Sequence, residues 1–234
     1  MPAVNDVRVW YAETAPLAAD PARVTRLLDW LEPDERARFD RYRFDADRLM
    51  FLLGRHMARE LVGRELGCAP TWWRWREGPN GRPEIDAPGA SLHFNLAHSA
   101  GLVACALANG REVGVDVEDL NRASTDPALI RRFCSPDEAA DIEAQGDRWL
   151  DRFLTYWTLK EAYLKARGVG ISVTLSDISF SLEPGGVRVS FLRSLEGTDP
   201  RWTFTLIRPT DRHLLAVAVP NPDGKPAFVT AGRF

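Results

Sequence analysis

Two short segments carry the charged residues that are best placed to do chemistry, and the first runs from Val113 to Glu118 (VGVDVE). As a strand, this segment would put Gly114, Asp116 and Glu118 on one face, because side chains alternate with a period of two. Strand rise would leave the two carboxylates ~6.5–7 Å apart, where they repel each other unless a cation or water separates them. Such oxygen ligands suit Mg²⁺, which takes one or two carboxylates and completes its shell with water and substrate phosphate. The same pattern also describes a solvated strand face that ends in an acidic turn.

The second segment, WTLKEAYLK, holds two of the only three lysines among the 30 basic residues. Helical spacing would place the following residues on one broad stripe: Trp157, Lys160, Glu161, Leu164, Lys165 and Gly168. One carboxylate and two ammonium groups beside an aromatic wall would suit a polyanion held together with a metal. The plainer alternative is a Glu161–Lys165 surface pair, worth only ~0.3–0.5 kcal/mol, beside a core tryptophan.

Two further places could hold phosphate. His98 and Ser99 lie in a predicted loop, Ala97–Gly101, where an imidazole and free backbone N–H groups could bind an anion. The sequence contains no G-x-S-x-G elbow, which argues against nucleophilic catalysis by Ser99. Arg82 follows directly on a tight turn predicted from Gly78 to Gly81.

The elements that would position these residues occur twice in the same order, as a strand, then helices, then strands. Helical patterns cover most of residues 33–66 and a long helix from Asp147 to Arg167, which should stop at Gly168. Between them, Ser135 to Glu138 (SPDE) reads as a capping box. We therefore predict an α+β fold with a pseudo-two-fold duplication, in which each half is a small antiparallel sheet packed with a long helix. The halves would span residues 1–112 and 113–234, with the site in the cleft between them.

Composition narrows the class of protein. The 234 residues are 45% hydrophobic and 27% charged, which is typical of a globular protein and unlike disordered, collagen or coiled-coil chains. No apolar run approaches the ~18 residues of a membrane helix, and the first residues lack signal-peptide features. Three cysteines without a C-x-x-C pair favour a reducing compartment, so we expect a cytoplasmic protein. A net charge of −3 gives no indication of nucleic acid or an anionic membrane as a partner.

Taken together and in this order, the motifs resemble the Sfp-type 4′-phosphopantetheinyl transferases. The specific part is the pair formed by GVDVE (residues 114–118) and WTLKEAYLK (residues 157–165). Supporting matches are Gly81-Arg82-Pro83, Phe94–Ser99 (FNLAHS), and Arg132–Ser135 (RFCS) with Glu138. The motifs cover roughly residues 80–170, and the flanks match in layout more than in sequence.

The resemblance implies an enzyme that moves the phosphopantetheine arm of coenzyme A onto a serine of a carrier protein and releases adenosine 3′,5′-bisphosphate. By similarity, Asp116, Glu118 and Glu161 would hold Mg²⁺ on the pyrophosphate. Lys160 and Lys165 would neutralise phosphate charge during catalysis, and Glu161 is the candidate base for the serine proton. Coenzyme A would also contact Arg82, His98 and Ser99, which would hold its nucleotide and 3′-phosphate.

Family members also use basic residues before and within the first long helix. Here six arginines are available and none is assigned, namely Arg36, Arg38, Arg41, Arg43, Arg48 and Arg55. Glu35 stands where a basic residue is expected. Two alternatives stay open, a Mg²⁺-dependent nucleotide phosphohydrolase and a non-catalytic module that binds carrier proteins or coenzyme A. Because the two halves would form the site within one chain, we expect a monomer.

Overall fold

The computed structural model describes residues 6–78, 81–87, 91–122, 125–169, 173–191 and 201–234. Its strands are β1 (Asp6–Glu13), β2 (Arg74–Glu77), β3 (Pro83–Asp86), β4 (Leu92–Ser99), β5 (Leu102–Asn109), β6 (Gly114–Asp119), β7 (Ile178–Glu183), β8 (Gly186–Phe191), β9 (Trp202–Thr210), β10 (His213–Pro220) and β11 (Phe228–Arg233). Its helices are α1 (Ala15–Ala18), α2 (Pro21–Leu28), α3 (Pro33–Arg41), α4 (Asp45–Leu66), α5 (Ala128–Phe133), α6 (Pro136–Glu143) and α7 (Trp149–Arg167). Within these ranges, every helix is too short or too polar to cross a membrane.

The first sheet has the strand order β11-β1-β5-β4. Strands β1, β5 and β4 pair antiparallel, whereas β11 lies parallel to β1. Helix α4 covers one face of this sheet, where Leu52, Met57 and Leu61 join a buried cluster with Val103 and Leu107 of β5. The predicted first unit of an antiparallel sheet and a long helix is therefore present, with one parallel strand added from the far end of the chain.

The second sheet has the order β6-β10-β9 and is antiparallel throughout. Helix α7 covers it, and its residues Leu159, Ala162 and Ala166 share a buried cluster with Ala216 and Ala218 of β10. The mixed α+β fold with small antiparallel sheets and long helices is thus confirmed. The division at residue 112 stays a prediction, and strand β11 departs from it by joining the first sheet.

The two sheets meet through a small-residue core. Val115 and Val117 of β6 are buried there with Val9 of β1 and Ala104 of β5, which confirms the alternation predicted for β6. Asn95 of β4 bridges the sheets, because its buried Oδ1 accepts a hydrogen bond from the Val115 N–H at 2.9 Å. With one face of β6 fixed in this core, the residues of the other face point toward α7.

The two long helical patterns are confirmed with shifted limits. Residues 33–66 form two helices, because the backbone is extended at Tyr42 and Phe44 between α3 and α4. Helix α7 begins at Trp149 after a 3₁₀ turn, and it ends as predicted at Gly168, whose φ of 63° caps it in the left-handed region.

The region predicted as the loop Ala97–Gly101 is mostly strand. β4 continues through Ser99, and only Ala100 and Gly101 turn, with φ values of 46° and 86°. A two-residue hairpin loop with positive φ matches the twist of the flanking strands, which is why the chain reverses so tightly. The turn predicted from Gly78 to Gly81 includes residues 79 and 80, which lie outside the described residues.

Candidate active site

Asp116 and Lys165 form the contact that joins β6 to α7. The Lys165 Nζ donates to Asp116 Oδ1 at 2.6 Å, while Asp116 Oδ2 is buried without a hydrogen-bond partner. Burial raises the pKa of Asp116 above its ordinary value, and the Lys165 ammonium opposes that shift. The carboxyl is therefore only half satisfied, with one oxygen left for another partner.

Glu118 and Glu161 complete a group of three carboxyls around this contact. Burial and then the charge of Asp116 raise the pKa of both Glu118 and Glu161. The charge of Arg122, whose guanidinium lies 3.5 Å from Glu118, opposes the shift there. Glu161 Oε1 is buried without a hydrogen-bond partner. The three acidic groups repel one another, and Lys165 is the cation in direct contact with Asp116 at their centre.

Gly114 explains how α7 comes so close to β6. A Cβ at this position would lie 2.0 Å from the carbonyl oxygen of Ala162 and 2.4 Å from the backbone nitrogen of Ala166. Only glycine allows such an approach, because any side chain would collide with the helix backbone. The glycine before the two acidic residues therefore sets the distance across which Asp116 and Lys165 meet.

His98 lies near this group at the end of β4. Burial lowers the pKa of His98, Lys165 and Arg38 lower it further, and Asp47 and Asp116 oppose the shift. The residue is still exposed to solvent, so the imidazole lies at the protein surface and not in the core. Charged residues of α3, α4, β6 and α7 therefore influence the pKa of this one imidazole.

Ser99 follows His98 and is half-buried at the last position of β4, beside the turn. The turn is fixed from two sides. The Thr14 N–H donates to the Gly101 carbonyl at 2.8 Å, and the Gly101 N–H approaches the Met50 sulfur at 3.4 Å. Two separate elements therefore hold the backbone beside His98 and Ser99.

Arg82 lies at the C-terminal end of α7. Its guanidinium donates to the Ala166 carbonyl at 3.0 Å and approaches the Val113 carbonyl at 3.5 Å. It also lies 3.6 Å from Glu112. A cation at this end of a helix is favourable because the last carbonyls carry partial negative charge. Arg82 thus has a clear role in fixing α7, and its contact with a nucleotide stays a prediction.

Lys160 is the one predicted site residue that the structure places elsewhere, which corrects the single stripe expected for α7. It is 1% exposed, and its Nζ contacts Glu138 Oε2 at 2.7 Å on the core side of the helix. Neighbouring helical positions point about 100° apart, so Glu161 faces the cleft while Lys160 faces away from it. The contacts give Lys160 no route to a bound phosphate.

A cavity of about 550 Å³ opens between α3, α4 and the β2–β3 ribbon. Arg38, Arg41 and Arg55 line it together with Trp75. The Arg55 guanidinium lies 4.2 Å from the centre of the Trp75 ring, a cation–π contact. Gly81 and Pro83, on either side of Arg82, also line this cavity. Arg38 of this cavity and Asp116 of the acidic group both influence the charge of His98.

The six N-terminal arginines therefore divide into two groups. The members outside the cavity have surface roles: Arg36 pairs with Asp40, Arg48 pairs with Asp45, and Arg43 lies over the Phe44 ring. Glu35 is buried and accepts from Arg59 at 2.8 Å while Arg55 lies 3.2 Å away. It is a structural counter-ion for those two guanidinium groups. Sequence alone gave no periodicity that separates the cavity arginines from the surface ones.

The acidic group around Asp116 has the oxygen donors of the predicted magnesium site, although they are not assembled into a metal cluster. Within the described residues, no group of three or more His, Cys, Asp or Glu side chains stands ready to hold a metal ion. The donor chemistry nevertheless fits, because Asp116 Oδ2 and Glu161 Oε1 are buried carboxylate oxygens without partners. Hard oxygen donors of this kind are those that Mg²⁺ prefers.

Comparison with known proteins gives consistent matches over both halves of the chain. Residues 112–218 match the family model described as the 4′-phosphopantetheinyl transferase superfamily. Residues 18–109 match the model described as 4′-phosphopantetheinyl transferase, N-terminal.

Individual relatives extend along most of the sequence. The 4′-phosphopantetheinyl transferase HetI of Nostoc sp. is 33% identical over 227 residues, which cover 96% of this chain and 92% of that protein. A 4′-phosphopantetheinyl transferase of Bacillus subtilis is 28% identical over 199 residues, covering 85% of this chain and 86% of that protein. Among solved structures, the holo-[acyl-carrier-protein] synthase of Neisseria meningitidis aligns with 47% of this chain and 98% of its own, at 19% identity and a TM-score of 0.41.

Proposed function

Because this chain belongs to the 4′-phosphopantetheinyl transferase superfamily, we propose that it transfers the 4′-phosphopantetheine group of coenzyme A to a serine of an apo carrier protein. The second product is adenosine 3′,5′-bisphosphate. The observation that carries the proposal is the contact between Asp116 and Lys165, which stands beside two further carboxyls with raised pKa values. Acidic groups that can hold a metal ion beside a lysine that can neutralise phosphate charge support the binding and cleavage of a pyrophosphate.

The reaction forms one bond between phosphorus and oxygen and breaks another. The serine oxygen bonds to the phosphorus that carries the pantetheine arm, and the bond from that phosphorus to the bridging oxygen breaks. Little covalent work falls to the protein in such a transfer, so positioning and charge stabilisation dominate. Lys165 supplies positive charge next to the reacting phosphates.

Glu161 is the proposed acceptor of the serine proton. Its Oε1 lacks a hydrogen-bond partner, and burial raises its pKa, which makes it a better base than an ordinary glutamate. An E161Q variant keeps the shape and loses the base. The expected result is normal binding of coenzyme A with transfer at least about 100-fold slower. Full-rate transfer by E161Q would remove Glu161 from this role.

A Mg²⁺ ion held by Asp116, Glu118 and Glu161 would supply positive charge to the pyrophosphate oxygens. The free oxygens of Asp116 and Glu161 support these ligands. Thermal unfolding checks this without any turnover, because Mg²⁺ should raise the Tm of the wild type and leave that of Asp116→Ala unchanged. An equal rise in both proteins would place the ion elsewhere.

The nucleotide of coenzyme A is proposed to occupy the cavity of about 550 Å³. Arg38, Arg41 and Arg55 provide the cations that a 3′-phosphate requires, and Trp75 provides an aromatic wall. His98, whose pKa both Arg38 and Asp116 influence, would contact the phosphates together with Ser99. Arg82 would reach the nucleotide from the C-terminal end of α7, where its guanidinium contacts the Ala166 carbonyl.

We further propose a monomer that works in a reducing cytoplasm. The three cysteines are free, and Cys105 and Cys134 are buried. Burial raises the pKa of the Cys134 thiol to about 12, which keeps it protonated and unreactive.

The decisive experiment is intact mass spectrometry of a panel of apo carrier proteins incubated with this protein, coenzyme A and Mg²⁺. The expected result is a gain of one phosphopantetheine that disappears with EDTA and in Asp116→Ala. Consumption of coenzyme A without any carrier would instead indicate a phosphohydrolase. Binding of coenzyme A without transfer to any carrier would indicate a binding module.

A further inference from the structure

The contacts of Lys160 leave no donor free for a ligand. Its Nζ donates to the Leu175 carbonyl at 2.8 Å and to the Ile178 carbonyl at 2.6 Å, and it contacts Glu138 Oε2 at 2.7 Å. An ammonium group has three N–H donors, so these three oxygens use all of them. The side chain is 1% exposed, which excludes contact with a bound molecule in this arrangement.

Glu138 is equally occupied and is fully buried. Its Oε1 accepts from the Phe180 N–H at 2.8 Å, and its Oε2 accepts from the Ser135 N–H at 2.8 Å. Ser135 is the N-cap residue of α6, and its hydroxyl also forms a hydrogen bond of 2.7 Å with the Ser179 hydroxyl of β7. The pair thus connects α6, α7 and β7 at one buried point.

On α7, this buried contact lies directly next to the side chains that face the cleft. Glu161 follows Lys160, and Lys165 lies a little more than one turn further along the same helix. A helix packed on a sheet by apolar residues alone can adjust its rotation by repacking, whereas a hydrogen-bonded ion pair has a fixed geometry. Holding Lys160 therefore fixes the directions of Glu161 and Lys165.

We propose that Lys160 and Glu138 form a positioning pair that sets the rotation of α7, so that Glu161 and Lys165 face Asp116. Lys160 acts through Glu161 and Lys165 and makes no contact with coenzyme A. The inference rests on the proposed transferase function, since it is the transfer reaction that requires these directions. It assigns the two lysines of WTLKEAYLK to different tasks, one structural and one at the phosphates.

The scarcity of lysine allows a direct test of the buried position in the unmodified protein. Only Lys160, Lys165 and Lys225 carry side-chain amines, so reductive methylation followed by peptide mass spectrometry reports on three sites. Lys225 is exposed and should react at once as the internal control. Lys165, whose side chain is 31% exposed, should react and be protected by coenzyme A. Lys160 should stay unmodified with or without coenzyme A and react only in urea. Reaction of Lys160 in the folded protein, suppressed by coenzyme A, would overturn the proposal.

Paired variants then test positioning by kinetics. Lys160→Met leaves a buried uncompensated carboxylate and should lower kcat at least about 10-fold, together with Tm. Adding Glu138→Gln removes that charge, and the amide can still accept a backbone N–H, so the double variant should regain most of its Tm, while its kcat stays low because no ion pair then fixes the rotation of α7. Its KM for coenzyme A should stay within about threefold of the wild type. Lys165→Met is the comparison, because loss of a phosphate contact should raise that KM.

Two results would overturn the positioning role. One is a double variant that regains both its Tm and the kcat of the wild type, because α7 would then be oriented without the ion pair. The other is a stable Lys160→Met single variant with normal kcat, which would show that the pair does not control the site. If neither variant folds, the methylation pattern decides. If the wild type transfers no phosphopantetheine while Lys160 stays protected from methylation, the proposed function is wrong, and the buried contact between Lys160 and Glu138 still stands.

Discussion

Two ion pairs lie on opposite sides of α7, and they differ in how completely their charged atoms are satisfied. On the core side, Lys160 and Glu138 make hydrogen bonds with every charged atom. On the cleft side, Lys165 satisfies one oxygen of Asp116, while the other oxygen and Glu161 Oε1 lack partners. Buried polar groups without partners are costly, so proteins keep them where something else binds. The satisfied pair holds the fold, and the unsatisfied one lies at the proposed reaction centre.

The largest expected effect comes from breaking the core-side pair by Glu138→Leu. Lys160 would then be a buried cation without a counter-ion, and the Ser135 and Phe180 N–H groups would lose their acceptor. We expect the free energy of unfolding to fall by about 3–5 kcal/mol. Urea denaturation measures this change, and Glu143→Leu, outside the pair at the end of α6, is the control. A loss below about 1 kcal/mol would mean that the pair adds little to stability.

Breaking the cleft-side pair by Asp116→Asn should slow the transfer reaction strongly and change the stability of the fold little. We expect transfer to slow by about 100- to 1000-fold, because the group that holds Lys165 and the phosphates in place loses its charge. Stability should change by less than about 1 kcal/mol, since the substitution also removes repulsion with Glu118 and Glu161. Transfer kinetics and urea denaturation on the same preparation check both parts. A large loss of stability with transfer unchanged would erase the distinction between the two pairs.

Gly114→Ala moves the cleft-side partners apart without changing any charge. Its Cβ would meet the backbone of Ala162 and Ala166 at 2.0 and 2.4 Å, so α7 has to shift away from β6. We expect a stability loss of about 1–3 kcal/mol and transfer reduced at least about 10-fold. Gly185→Ala is the matched control, because no atom lies within 4 Å of a Cβ there. Equal behaviour of the two variants in urea denaturation and transfer would contradict the close approach.

The smallest effect concerns pH. Burial raises the pKa of Asp116, so the folded state holds the proton of this carboxyl more firmly than the unfolded chain does. Stability should therefore fall as pH rises from the ordinary aspartate range through the raised pKa. Asp116→Asn removes this contribution, so it should lose less stability than the wild type as the pH rises from about 5 to about 7.5. Urea midpoints at the two pH values test this, and identical losses in both proteins would show that Asp116 ionises normally.

Much of the cleft-side arrangement could be predicted from sequence because β6 is short and strictly alternating. With valines on one face, Asp116 and Glu118 had to lie on the other, and the structure confirms this. The end of α7 at Gly168 was equally clear, because glycine takes the left-handed conformation that ends a helix. Such local rules need no knowledge of distant contacts.

Lys160 could not be assigned in this way. Helical spacing gives a stripe, and a wide stripe includes residues about 100° apart that face different surroundings. The capping box at Ser135 and Glu138 was predicted and is confirmed, with Glu138 Oε2 on the Ser135 N–H. That the same carboxylate also binds Lys160 depends on how α6 packs against α7. Likewise, the stacking of Arg55 on Trp75 joins elements that no sequence period connects.

The pairing of β1 with β11 has a consequence for the order of folding during synthesis. Asp6 lies opposite Phe228, so the edge of the first sheet is completed by a strand made more than two hundred residues later. Translation proceeds at about 5–20 residues per second, so β1 waits with an open edge for at least about ten seconds. An open edge invites pairing with other chains. A nascent chain that is released early should therefore aggregate through β1, even though most of the residues of its first half are already present.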